Sequence, residues 1–228
     1  MVLFRWRDLL NSETRQAKMD KVLENKQPTL ELFLDNIHDS HNLSAIVRSC
    51  DAVGILNLYY TNQKNENFKT HKTITQGAHR WVNRFRVKHN EKIQFLKQKQ
   101  ADGFQIVATH VEEGSLSYTQ IDYTKPTLII TGNEKEGVSK EIIAIANQSI
   151  KIPMKGMVQS LNVSVATALI LYEAQRQLEE KGRYQTPQLT LKERELIKEE
   201  WIYRDTIARK SKGKIPLKFI EEIKMPLA

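Results

Sequence analysis

"GMVQSLNVSVATALILYEAQRQ", residues 156–177, opens on a flexible glycine, sets Gln159, Ser160 and Asn162 close together, and then runs apolar for about three helical turns. The pattern predicts a helix from about 160 to 181, with Ser160 where an N-cap would stand. One cap accounts for one polar residue. Three amide and hydroxyl side chains against a segment as apolar as "VSVATALILY" need more, because burying each unpaired costs about 1–3 kcal/mol. Either a network within the fold or a ligand at the helix start has to satisfy them.

Working outward, "SIKIPM" (149–154) reads as a strand ended by Pro153, and Gly156 permits a sharp bend before the helix. Upstream, strand and helix signals alternate. "TLELFLDNI" (29–37) reads as strand, "SHNLSAIVRSCDAVG" (40–54) as helix and "ILNLYY" (55–60) as strand. "FRVKH" (85–89) then reads as strand, "NEKIQFLKQKQAD" (90–102) as helix, "FQIVATHV" (104–111) and "PTLIITG" (126–132) as strands, and "SKEIIAIANQ" (139–148) as helix. This alternation predicts an α/β fold with a mostly parallel sheet flanked by helices, with ligands held beyond the carboxyl ends of the strands.

The flanks differ in composition. Residues 12–26 read as a polar helix with Ser12 as its N-cap, stopped at Gln27 and Pro28. After Gly182, "RYQTPQ" reads as a linker and "LTLKERELIKEEWIYRDTIARKSKGK" as one or two charged helices ending in a basic run that includes Arg209, Lys210 and Lys212. The expected organisation is an N-terminal helical extension at 1–27, an α/β domain at 28–182 and a basic C-terminal helical extension at 183–228.

The chain has 228 residues, enough to bury a core without staples, and its 35 Lys and Arg against 27 Asp and Glu give a formal charge of +8 that favours polyanions such as nucleic acid. Cys50 is the only cysteine, so no intrachain disulfide forms, which fits a reducing cytoplasmic setting. The start "MVLFRWRDLL" is too short and too charged for a signal-peptide core, and no apolar run of about 18 residues crosses a membrane. The six histidines lack metal-ligand spacing, so no metal is expected, and G-x-G-x-x-G, P-loop and G-x-S-x-G motifs are missing.

Two further stretches carry chemistry. In residues 36–54, Leu43, Ile46, Val47, Cys50 and Val53 make one apolar face, with Asn42 and Arg48 off it. Arg48 suits a phosphate, since a planar guanidinium binds one in bidentate fashion; a solvated arginine with a carboxylate partner is the plainer alternative. In residues 128–141, a buried strand runs into Gly132, Asn133 and Glu134, where glycine allows close backbone approach to a ligand or simply a tight turn. Trp81 reads as a packing anchor, and Arg80, Arg84, Arg86 and Lys88 around it as a basic stripe for phosphate contacts.

Taken in order, "HNLSAIVRSCDAVG", "LIITGNEKEG" and "IPMKGMVQSLNVSVATALILYEAQRQ" resemble the three motifs of the SpoU family of RNA ribose 2′-O-methyltransferases, over about residues 28–181. The resemblance implies a C-terminal deep trefoil knot, a homodimer, and S-adenosylmethionine held in the knot. It further implies that backbone groups at Thr109, Gly132, Ile152 and Leu161 hold the cofactor, with Met157 and Ser160 close by. Asn42, Arg48, Glu134, Ser160 and Asn162 match the family's functional positions. With short helical extensions at both ends, the chain is most similar to family members that methylate guanosine 18 in the D-loop of tRNA. Ribosomal RNA, another tRNA position, or a non-catalytic RNA-binding role on the same fold are the alternatives.

Overall fold

The computed structural model describes residues 13–64, 70–112 and 114–210. Its centre is a seven-stranded sheet in the order β3-β2-β1-β6-β4-β7-β5. The strands are β1 (Leu30–Asp35), β2 (Asn57–Thr61), β3 (Asn83–Arg86), β4 (Gln105–Thr109), β5 (Leu116–Ser117), β6 (Thr127–Gly132) and β7 (Gln148–Lys151). Every pairing is parallel. The central pair, β1 and β6, is in register from Leu30 with Thr127 to Asp35 with Gly132. Both are buried along their whole length, as a parallel sheet covered on both faces requires.

Helices α1 (Glu13–Glu24), α2 (Ser40–Ala52), α3 (Lys72–Thr75), α4 (Lys92–Ala101), α5 (Lys140–Ile143), α6 (Val163–Glu180) and α7 (Leu191–Lys210) surround it. One core joins Leu32, Leu34, Leu58 and Ile129 of the sheet to Ile46, Val47 and Cys50 of α2 and to Ile170, Leu171 and Ala174 of α6. The other joins Phe33, Ile106, Leu128 and Ile130 to Leu96 of α4 and Ile142 of α5. Alternate β1 residues thus serve opposite faces, the period-2 geometry of a strand.

The helices of the two ends meet. Met19 and Leu23 of α1 pack with Leu189, Trp201 and Ile202 near and on α7, against Leu56 at the start of β2. At their junction Asp205, with 0% exposure, accepts from Arg15 at 2.8 Å and from Arg80 at 2.6 Å. Trp81 meets Trp201 edge-on with ring centroids 5.3 Å apart, so it is a packing anchor. "LTLKERELIKEEWIYRDTIARKSKGK" forms one helix within the described residues, while Ser12, the N-cap expectation for α1, lies outside them.

Three sequence expectations change. The helix expected at 139–148 is a single turn, because Asn147 is captured by β4: its Oδ1 accepts from Ile106 N at 2.7 Å, and its own N–H donates to Ile106 O at 2.9 Å. The short strand β5 carries too weak a pattern to be read beforehand. Helix α6 starts at Val163, and its N-cap is Asn162, whose side chain accepts from Ser164 N at 2.9 Å; Ser160 lies before the helix.

Candidate active site

Helix α2 begins just past the carboxyl end of β1, capped by Asp39, whose side chain accepts from His41 N at 2.7 Å. Asn42 lies in its first turn and is 9% exposed, so the polar position read as off the buried face is in fact enclosed. What encloses it is polar. Asn42 Nδ2 donates to Glu134 Oε1, in the loop after β6, and Asn42 Oδ1 accepts from Asn162 Nδ2 at 3.0 Å, at the start of α6. One buried amide therefore ties together the three motif stretches, and the Asn162 side chain both caps α6 and joins this chain.

Arg48 lies six residues further along α2, a rise of about 9 Å. It is exposed, and among the described residues it makes no hydrogen bond or ion pair, so it is a solvated arginine that no described carboxylate holds. Its side chain lines a cleft of about 300 Å³ together with Ala45, Ser49 and Ala52 of α2, Ile74 of α3 and Tyr172 of α6.

Thr109, Gly132 and Ile152 stand at or just past the carboxyl ends of β4, β6 and β7, which are neighbours in the sheet. The three backbone segments expected to hold a cofactor thus come together along one edge. Gly132 is required there: a Cβ at this position would fall 2.0 Å from the backbone of Gly137, which returns in a bridge with Asn133. Met157 is 100% exposed, and Gln159 and Ser160 are exposed as well. Gln159 and Ser160 therefore lie on an open loop, and of the bonded chain Glu134–Asn42–Asn162 only Asn42 is buried, its two partners being exposed. Thr131 Oγ1, buried at the end of β6, has no partner among the described residues.

The expected basic stripe divides. Arg80 is held by buried Asp205 and lies 5.5 Å from the Trp81 ring, so it serves packing at the helical junction. Arg84 is half-buried, and burial, with Arg204 close by, pushes its guanidinium below its ordinary pKa. Arg86 and Lys88 are exposed, Lys88 pairing with Glu91 at 2.8 Å. Arg209 and Lys210 belong to α7 with side chains outside the described residues, and Lys212 lies outside them altogether. Among the described residues no group of His, Cys, Asp and Glu could hold a metal ion, and no helix is long and apolar enough to cross a membrane.

Residues 29–172 match the SpoU rRNA Methylase family. The chain belongs to this family. Over 200 residues, 88% of this chain and 94% of the relative, it is 49% identical to the tRNA (guanosine(18)-2′-O)-methyltransferase of Aquifex aeolicus. The fold matches the crystal structure of the A. aeolicus TrmH/SpoU tRNA modifying enzyme with a TM-score of 0.82 and 50% identity, covering 86% of this chain and 98% of that one. It also matches the SpoU methyltransferase AviRb from Streptomyces viridochromogenes in complex with the cofactor AdoMet, with a TM-score of 0.59 and 27% identity, over 68% of this chain and 62% of that one. The stretches that carried the family resemblance are the ones that Asn42 joins.

Two buried charges escape sequence reading. The carboxylate of Asp205 and the ammonium of Lys92 each lie within an apolar spacing, four residues from Trp201 and Leu96 respectively, and a charge on such a stripe signals a buried partner.

Proposed function

We propose that this SpoU-family chain transfers a methyl group from S-adenosylmethionine to the ribose 2′-hydroxyl of guanosine 18 in tRNA. The observation that carries this reading is the bonded chain Asn162–Asn42–Glu134, whose middle residue lies on the helix that presents Arg48, without a partner among the described residues, to an open cleft. Relatives named for that reaction and matching nearly end to end support the choice of substrate.

The cofactor's requirements fit the residues present. Neighbouring strand ends at Thr109, Gly132 and Ile152 suit an adenosine, with Leu161 completing the site in this reading, and Thr131 Oγ1, without a partner among the described residues, lies beside Gly132. S-adenosylmethionine, when bound, supplies an activated methyl group on a sulfonium. In this reading Met157 and Ser160, on the exposed loop before α6, lie close to it.

Methyl transfer is an in-line displacement, so the protein must align acceptor and donor and let a proton leave. A guanidinium stays protonated in proteins, which makes Arg48 a poor base and a good anchor. In this reading Arg48 grips an RNA phosphate and stabilises alkoxide charge as it develops, the proton passing to the phosphate or to water. Asn42 holds the ribose or orients the arginine, while Glu134 and Asn162 keep the Asn42 amide in one orientation.

The same reading makes the chain a cytoplasmic homodimer with its carboxyl-terminal part threaded into a trefoil knot. Val165, Leu169 and Tyr172 form an exposed apolar stripe on α6, at the spacing a second helix surface covers. Arg84, Arg86 and Lys88 at the β3 edge, and Arg209 and Lys210 at the end of α7 with Lys212 two residues on in sequence, would meet the tRNA backbone. Buried Cys50, its thiol pushed up by desolvation, plays no part in the chemistry.

Mapping 2′-O-methylated nucleotides in tRNA from a strain lacking this protein, against the same strain complemented with it, tests the proposal. Methylation restored at guanosine 18 is expected. Restoration only at another tRNA position, only in ribosomal RNA, or nowhere would overturn it.

A further inference from the structure

Helix α4 is fixed to β1 by two ion pairs, one at each end. Lys99 Nζ meets Glu31 Oε2 at 2.5 Å toward the amino end of the strand, and Lys92 Nζ meets Asp35 Oδ1 at 3.5 Å at its carboxyl end. Both carboxylates lie on the sheet face that also carries Phe33, as their odd-numbered spacing requires. A buried ion pair adds little net stability, because desolvation offsets the attraction; what it supplies is fixed direction.

The two pairs differ in what else they touch. Around Lys99 stand Tyr59, Phe95 and Phe104, so that pair ends in packing. Around Asp35, 1% exposed, and Lys92, 2% exposed, stands the loop that carries Glu134. Asp35 is the register partner of Gly132, where the loop leaves the sheet, and Asp35 Oδ2 accepts from Ser139 N at 2.8 Å, where the loop ends. Lys92 Nζ also donates to Ser139 Oγ at 3.0 Å and pairs with Glu141 at 2.9 Å. Asp35 thus meets both stems of the 132–139 loop, its backbone in register with Gly132 and its carboxylate bonded to Ser139 N, and one buried ammonium holds that carboxylate. Within the loop, Asn133 Oδ1 accepts from Lys135 N and Glu136 N, which stiffens the turn but does not attach it to the sheet.

We propose that the Asp35–Lys92 pair is a positioning device: by holding the two stems of this loop together it sets Gly132 for the cofactor and Glu134 for Asn42. The inference rests on the reading of Gly132 as part of a cofactor site. Neither residue touches the reactants; both act through the loop.

The test compares Lys92→Met, Lys92→Arg, Ser139→Ala and the control Lys99→Met with the unaltered protein. Four quantities are read: thermal midpoint, calorimetric affinity for S-adenosylhomocysteine, hydrogen exchange at residues 133–139, and the donor KM against the tRNA KM. Lys92→Met should weaken the ligand about tenfold and speed loop exchange at least tenfold, and raise the donor KM more than the tRNA KM. Lys92→Arg should restore most of both, and Ser139→Ala should fall between. Lys99→Met should lower the thermal midpoint without moving affinity or loop exchange. Unchanged loop exchange in folded Lys92→Met, or equal loss of affinity in the Lys92 and Lys99 variants, overturns the inference. If Lys92→Met does not fold, unchanged exchange and affinity in Ser139→Ala overturn it instead. An unaltered protein that binds no S-adenosylhomocysteine overturns the cofactor-site reading, while loop exchange still decides whether the pair holds the loop.

Discussion

As letters in a sequence Arg48 and Arg80 both suit a phosphate, one alone and one as part of a basic stripe, and the regions around them put them to opposite uses. At the α2–α6 flank, Arg48 projects into an open cleft with no partner among the described residues, beside a buried amide that joins Glu134 and Asn162. At the junction of α1, α7 and the segment before β3, Arg80 shares buried Asp205 with Arg15 and lies against Trp81. A cation without a counter-ion is available to a phosphate. One bonded to a fully buried carboxylate is structural, because removing it would strand the carboxylate. At the α2–α6 flank the guanidinium stays open to solvent; at the junction a buried carboxylate takes it up.

The sharpest way to break this contrast is to truncate Arg48. Arg48→Ala should lower single-turnover methyl transfer by about a thousandfold, the scale of losing one charge-stabilising group at a reacting centre, while calorimetry finds S-adenosylmethionine affinity within about twofold of the original. Arg80→Ala should leave that rate nearly intact at saturating tRNA. If the two variants lose the rate equally, the division between regions is wrong.

At the junction, Asp205→Ala leaves two guanidiniums without their shared partner. It should cost about 3 kcal/mol, or roughly 6–12 °C in Tm by calorimetry, with cofactor affinity of the folded protein unchanged. At the site, Asn42→Ala breaks the chain of bonds in its middle and should reduce kcat/KM by about 10- to 100-fold through misplacement of neighbouring groups, with little change in Tm. The smallest effect concerns the exposed end of the basic stripe. Arg86→Ala should reduce the slope of log affinity for tRNA against log salt by about 1, and Arg80→Ala should leave that slope alone; filter binding at several salt concentrations separates them.

Much of this was readable from residue order. The strands β1, β4 and β6 are short apolar runs bounded by glycine, proline or polar residues, and the buried face of α2 follows its spacing from Leu43 to Val53. The motif residues Asn42, Glu134 and Asn162 were named before any contact was known. Their bonding was not, because it spans 92 and 120 residues and nothing local encodes it. The cap of α6 was assigned two residues early because Ser160 and Asn162 are both good caps, and only the bond to Ser164 N chooses between them. The helix after Ser139 was overextended since "IIAIANQ" suits either state, and pairing with β4 captured its end. Arg80 was assigned to RNA on charge alone; its partner lies 125 residues away on a helix read only as charged.

The central claim is that the carboxyl ends of β4, β6 and β7, with the loop 152–162, form the cofactor site on which Arg48 and Asn42 act. A crystal structure of the protein with S-adenosylhomocysteine tests it most directly. The adenosine should rest on backbone groups of Thr109, Gly132, Ile152 and Leu161, its sulfur turned toward the Asn42 side chain. A ligand seated at the opposite ends of the strands, or in a pocket that none of these residues reaches, would contradict the account.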